Sequence, residues 1–186
     1  MILKPSGSRK KEQSNLRGQN LLVLTGFSCN NNCLMCSVRD RGSFYADRKY
    51  EAVVDDLKKG RENGFDWVEF TGGEPTIRRD IIDLVKKAKE LGYKKIAVST
   101  NGRIFSYFGF CEKIIRAGLN KITFSVLGPN KKVHEALTRT PGSFEEIITG
   151  IKNVQKFLGV HINVSSVISR LNYKPIVSFG RFIQSL

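Results

Sequence analysis

The sequence predicts an α/β protein: a partial (β/α) TIM-like barrel with parallel strands and about five β/α units. Three observations predict it. Short apolar runs rich in Val, Ile, Leu and Phe alternate with longer amphipathic segments along the chain. The connections are short, which with right-handed crossovers gives a parallel sheet. Polar and glycine-rich motifs fall directly after the apolar runs, at the carboxyl ends of strands, where such folds bind ligands.

The elements follow in order. Residues 1–20 carry Lys4, Arg9, Lys10, Lys11 and Arg17 against Glu12. They read as a flexible basic arm ahead of a folded core over 21–186. The first strand is 21–25, and a cysteine-rich loop follows it. A helix over 47–63 puts Tyr50, Val53, Val54 and Leu57 on one face, with Gly64 to close it. The second strand, 67–71, runs into Gly72-Gly73-Glu74-Pro75. A second helix holds Ile81, Ile82, Leu84, Val85, Ala88 and Leu91, with Gly92 as its cap. The third strand, 95–99, ends in Thr100-Asn101-Gly102, and a third helix carries Cys111, Ile114 and Ile115 as far as Gly118. The fourth strand is 121–125, followed by a short helix containing His134. The next helix opens on a capping-box pattern, Ser143 with Glu146, and continues through Ile147, Ile148, Ile151, Val154 and Leu158. The fifth strand is 161–168, and a segment after Pro175 reads as a helix. A full eight-fold barrel needs about 250 residues. Five strands therefore fit a partial barrel, a fragment, or a barrel that a partner completes.

At 186 residues and 40% hydrophobic content, the chain can build one domain with a real core. No apolar run is long enough to span a membrane. The polar, basic N-terminus lacks the apolar centre of a signal peptide, so the cytoplasm is the expected location. The four cysteines argue against a disulfide framework. Cys111 lies in an apolar helical stretch and reads as a buried, inert thiol. The formal charge of +14 is spread over pairs such as Lys58-Lys59, Arg78-Arg79, Lys86-Lys87, Lys94-Lys95 and Lys131-Lys132. Such a field attracts RNA and other polyanions, although solvated lysine-rich helix faces are the favoured explanation and no RRM-like motif is present. Of the two histidines, His134 reads as a helix-surface residue and His161 as the opening of a strand. Neither forms a triad with a Ser or Cys nucleophile.

The densest chemistry is Cys29-Asn30-Asn31-Asn32-Cys33-Leu34-Met35-Cys36. Three thiolates on one loop can converge on one metal centre. A [4Fe–4S] cubane has four irons, each wanting an outer ligand, so three cysteines leave one iron open. The alternative is a structural zinc site completed by Cys111 or a histidine. In Gly72-Gly73-Glu74-Pro75, two glycines allow close backbone approach to a ligand, and the Glu74 carboxylate suits a cationic amino group. Pro75 stiffens the turn.

CxxxCxxC after the first strand, GGEP after the second, Ser99-Thr100-Asn101-Gly102 after the third and the stretch 134–150 together resemble the radical S-adenosylmethionine (radical SAM) superfamily. The resemblance covers about 21–172. It is nearest in flavour to the branch of molybdenum-cofactor-biosynthesis and peptide-modifying members. It implies that Cys29, Cys33 and Cys36 hold a [4Fe–4S] cluster whose open iron chelates S-adenosylmethionine (SAM). It further implies reductive cleavage of SAM to a 5′-deoxyadenosyl radical that abstracts hydrogen from a substrate. The loop Gly72–Pro75 would hold the SAM ammonium. Ser99, Asn101 and Ser125 would hydrogen-bond the ribose or carboxylate, with helix capping as the other reading of Asn101. Arg139 would clamp the carboxylate as a bidentate donor, or stand solvated on the surface. Asn163, Ser165 and Asn172 are weaker candidates for ribose or adenine contacts. A reductant such as a flavodoxin or ferredoxin is the implied partner. Met35 stands where an aromatic residue is common, and no second cysteine cluster follows. The competing reading is a cluster-bearing or degenerate binding module that docks on RNA through its basic surface.

Overall fold

A computed structural model describes residues 19–38 and 45–185. The basic arm expected over 1–20 lies outside them, apart from its last two residues. Five strands form one parallel sheet in sequential order: β1 (Asn20–Leu24), β2 (Trp67–Thr71), β3 (Lys95–Thr100), β4 (Lys121–Ser125) and β5 (His161–Ser165). Six α-helices accompany them: α1 (Tyr50–Glu62), α2 (Ile81–Glu90), α3 (Phe108–Ala117), α4 (Lys131–Thr138), α5 (Ser143–Val154) and α6 (Ile176–Gln184). A strand order without reversal, joined by right-handed crossovers, puts the helices on one face and curls the sheet as in a barrel.

The burial of the strands shows which face that is. Val23, Val68, Phe70, Ile96, Val98, Ile122 and Phe124 are buried against helix residues such as Leu57, Leu84, Ile114 and Ile147. Each large side chain buried this way contributes roughly 2 kcal/mol of transfer free energy. The alternate positions face the concave side and are mostly polar or open, with the buried Ala97 as an exception. They include Glu69, Ser99, Thr123 and Asn163, and Leu22 is 64% exposed. The core is thus one layer thick, and the concave face carries the chemistry.

Several boundaries differ from expectation for local reasons. Helix α1 starts at Tyr50 rather than Asp47, because the Asp47 carboxylate accepts the amides of Phe27 (2.7 Å) and Ser28 (3.0 Å) in the cysteine-bearing loop. The capping box at Ser143 does not form. Gly142 is the N-cap of α5, the Ser143 hydroxyl meets Thr138 Oγ1 at 2.8 Å, and Glu146 pairs with Arg103 instead. Leu158 lies beyond the end of α5 and is fully exposed. Strand β5 stops at Ser165, where the Ser165 carbonyl accepts the amide of Val126 and the chain turns away from the sheet. Helix α3 ends as expected, with Gly118 at a φ of 126° that a side chain would resist.

His134 is not a surface residue: it is 1% exposed on the inner side of α4. Its Nδ1 accepts the Leu127 amide at 3.2 Å, and its ring meets Phe144 edge-on at 5.6 Å between centroids. Burial pushes its pKa down to about 4, so the folded ring is neutral. Below the ordinary value of 6.5, the unfolded chain takes up a proton that the folded chain refuses. Stability at this site is therefore complete above about pH 6.5 and is lost progressively as the pH falls towards 4. The loss should approach about 3 kcal/mol. Urea titrations at pH 7 and pH 4.5 will show it, and a His134→Leu variant should lose less stability over the same interval.

Candidate active site

The loops after β1, β2, β3 and β4 enclose a cavity of about 280 Å³ at the carboxyl end of the sheet. Cys29, Cys33 and Cys36 line it together with Gly72, Gly73, Glu74, Ser99, Asn101 and Ser125. Four motifs far apart in sequence therefore share one space.

Strand pairing that continues past the strands brings the first two loops together. The Gly73 amide donates to the Gly26 carbonyl at 2.9 Å, and the Glu74 amide to the Ser28 carbonyl at 2.8 Å. A Cβ on Gly72 would sit 2.3 Å from the Gly26 oxygen, and one on Gly73 would sit 2.2 Å from the Ser28 oxygen. The closest approach that the glycine pair permits is thus to the backbone at the base of the cysteine loop, where the sequence suggested a ligand.

Glu74 also differs from expectation. Its carboxylate is turned into the protein and is 2% exposed. One oxygen accepts the Thr76 amide (2.9 Å), the Thr76 hydroxyl (2.5 Å) and the Thr100 hydroxyl (2.8 Å). The other accepts the Asn101 amide (2.6 Å). Burial pushes its carboxyl pKa upward against the pull of these donors. The side chain welds the end of β2 to the end of β3 and is not free to meet an ammonium group. Pro75 is buried beside it, at the start of a short 3₁₀ turn.

The cysteine loop is clamped on its other side by elements that the sequence did not single out. Helix α4 ends in carbonyls with no intrahelical partner. Two of them accept loop amides: Leu137 takes Leu34 at 2.9 Å, and Thr138 takes Asn32 at 3.1 Å. Arg103, just after β3, bonds the Asn30 carbonyl, the Asn31 side chain and the Glu146 carboxylate. Asn101 Nδ2 donates to Asn30 Oδ1 at 2.7 Å and approaches Cys29 Sγ at 3.8 Å, while its Oδ1 accepts the Arg103 amide at 3.2 Å. It therefore serves both the loop and the local turn. The signal for Arg103 in the sequence was only its place beside Asn101 and Gly102.

Other expected residues divide. Ser125 and Ser99 line the cavity, and the Ser99 hydroxyl also donates to Glu69, which Asn20 holds from the other side at 2.7 Å. Arg139 stands outside the cavity wall, exposed at the left-handed C-cap of α4. Asn172 is 1% exposed and spends its amide on Leu127, Val167 and Ser169, so it is structural. Met35 does not line the cavity.

Among the described residues, no three His, Cys, Asp or Glu side chains converge tightly enough for a single ion. The three cysteines line the same cavity, and three thiolates are the number that leaves one iron of a cubane open. Burial, reinforced by the sulfurs of Cys29 and Cys36, pushes the Cys33 thiol up to about 11, and burial raises Cys29 too. Metal entry must therefore displace protons. Cys111 takes no part: it is fully buried, and its thiol donates to the Phe105 carbonyl at 2.9 Å.

A family model described as the Radical SAM superfamily matches residues 23–183. The chain belongs to the radical SAM superfamily. This family uses a [4Fe–4S] cluster and SAM. The residues of this cavity fit both groups, since three cysteines and the polar residues Ser99, Thr100, Asn101 and Ser125 line it. The chain is 30% identical over 169 residues to "Probable GTP 3',8-cyclase" of Saccharolobus solfataricus, covering 90% of this chain and 54% of that one. The namesake in Sulfolobus acidocaldarius is 26% identical over 167 residues, covering 90% and 52%. The chain thus spans about half the length of these relatives. Among solved structures, Streptococcus suis SuiB bound to S-adenosylmethionine superposes with a TM-score of 0.72 at 19% identity, covering 89% of this chain and 36% of that one. The radical SAM fold is shared, and no helix among the described residues is long and apolar enough to cross a membrane.

Two substitutions test this account. Gly73→Ala should destabilise the chain by about 2 kcal/mol or more, because its Cβ meets backbone that cannot step aside. Calorimetry will measure the drop. Arg103→Ala should leave Tm nearly unchanged but raise hydrogen exchange at the Asn32 and Leu34 amides by roughly tenfold.

Proposed function

We propose that this chain is the radical-generating core of a radical SAM enzyme. The observation that carries the reading is the convergence of one loop's three cysteines and of Gly72, Gly73 and Glu74 on a single cavity. Cys29, Cys33 and Cys36 would hold three irons of the [4Fe–4S] cluster. Gly72, Gly73, Ser99, Asn101 and Ser125 would flank SAM, with Glu74 and Pro75 fixing the turn from behind. Held there and reduced, such a cluster would supply the electron for reductive cleavage of SAM to methionine and a 5′-deoxyadenosyl radical, the oxidant for hydrogen abstraction from a substrate.

The protein's own part is to hold the thiolates on a rigid loop and to leave one coordination site open. Asn101 and the Asn31 amide approach Cys29 Sγ, where donors favour the thiolate. A flavodoxin or ferredoxin would deliver the electron. The reading names no particular substrate. The curated relatives are named for a GTP cyclase, and one superposable structure is SuiB bound to the precursor peptide SuiA. The intact thiol triplet speaks against a degenerate binding module.

The full-length protein, reconstituted anaerobically with iron and sulfide and reduced with dithionite, should form 5′-deoxyadenosine from SAM. Replacing Cys29, Cys33 and Cys36 together by Ala should abolish both the cluster absorption and this product. A reconstituted protein that binds its cluster but yields no 5′-deoxyadenosine would overturn the proposal.

A further inference from the structure

The end of the sheet opposite the cavity carries a second organised surface. Three grooves run into one another there. The first lies between α2 and α3 and is lined by Lys86, Lys89, Lys113 and Arg116 over an apolar floor of Ile82 and Ala117. The second begins at the same Lys89 and reaches Lys94. The third shares Lys94 with the second and ends at Lys95, Lys121 and His161. Glu90 is the single acid among the residues that line the three.

Much of this charge is unspent. Among the described residues, Lys89, Lys94, Lys95, Lys113 and Lys121 form no ion pair, whereas Lys86 and Arg116 have Asp83 and Glu112 beside them. Lys95 and Lys121 place their ammonium groups over the same Trp67 ring, 5.1 and 4.2 Å from its centre. Glu69, the acid on that concave face, is held by Asn20 and Ser99. Two cations on one ring, with no carboxylate between them, leave room for an external anion.

We infer that this face is a docking site for single-stranded nucleic acid, gripped through its phosphates. The shape favours a chain-like polyanion over an acidic protein, because the cations line connected grooves rather than a flat patch. Exposed His161 and Asn163 at the end of the path offer hydrogen bonds to bases. Lys95 opens β3, and Ser99 near its far end lines the cavity. Four residue-to-residue steps along the strand separate the two surfaces by about 13 Å. A docked strand therefore leaves the cavity free, and the inference stands whether or not the radical chemistry does.

Trp67 is the chain's sole tryptophan and reports directly on its two lysines. Titration of the full chain with a fluorescein-labelled 12-nucleotide RNA should give saturable anisotropy together with a change in Trp67 emission. The logarithm of affinity should fall with that of salt at a slope of roughly −3 or steeper, given about −0.7 per phosphate contact. Lys94→Ala/Lys95→Ala should weaken binding about tenfold and reduce the slope by roughly 1.4. Lys58→Ala/Lys59→Ala on α1 removes the same charge and should change affinity less than twofold. A DNA 12-mer that binds alike supports a phosphate grip, as does an RNA preference that the Lys94/Lys95 variant preserves. Equal loss in the α1 variant would mean diffuse attraction and overturn the inference. So would competition by poly-glutamate as strong as by RNA, or the absence of binding at 100 mM salt.

Discussion

The buried Glu74 carboxylate is the interaction on which the cavity depends. Four donors from Thr76, Thr100 and Asn101 converge on it, and between them they fix the exits of β2 and β3. A buried carboxylate left unpaired is costly, so its donors and acceptor hold one another in place. The amide of the same residue pairs with Ser28 in the cysteine-bearing loop. One residue thus ties three loops together: its side chain joins two, and its backbone joins the third.

The second constraint is the sequential parallel sheet. Because helices cover only one face, the concave face can be polar without exposing the core. The strands then deliver different chemistry to their two ends. Hydroxyls and glycines gather at the carboxyl end, and lysines gather where β3 and β4 begin.

Much of this was legible in the sequence. The alternation of apolar runs and amphipathic segments located all five strands and the helices to within a few residues. The cysteine spacing and GGEP located the cavity, because both sit at strand exits. Less legible was what each polar side chain touches. Glu74 looked like a ligand group because burial cannot be read from a turn motif, and the donors that claim it come partly from residues 26 positions away. His134 looked exposed because its partners, Leu127 and Phe144, lie outside its own helix. Arg103 gave no periodic or motif signal, since its role is set by a loop more than 70 residues earlier. Ser143 and Glu146 matched a capping box locally, but the end of the preceding helix claimed the first through Thr138, and Arg103, 43 residues earlier, claimed the second.

The meeting of the cysteine loop with the end of α4 has a consequence for how the protein is assembled. The last carbonyls of that helix have the loop amides as partners, so neither segment completes its hydrogen bonding alone. Lifting the loop would leave the Leu137 carbonyl without its partner and the Thr138 carbonyl with only the Thr140 hydroxyl, and fraying of that turn would release the loop. Ordering of the cysteine loop and ordering of a helix a hundred residues downstream are in this sense one event.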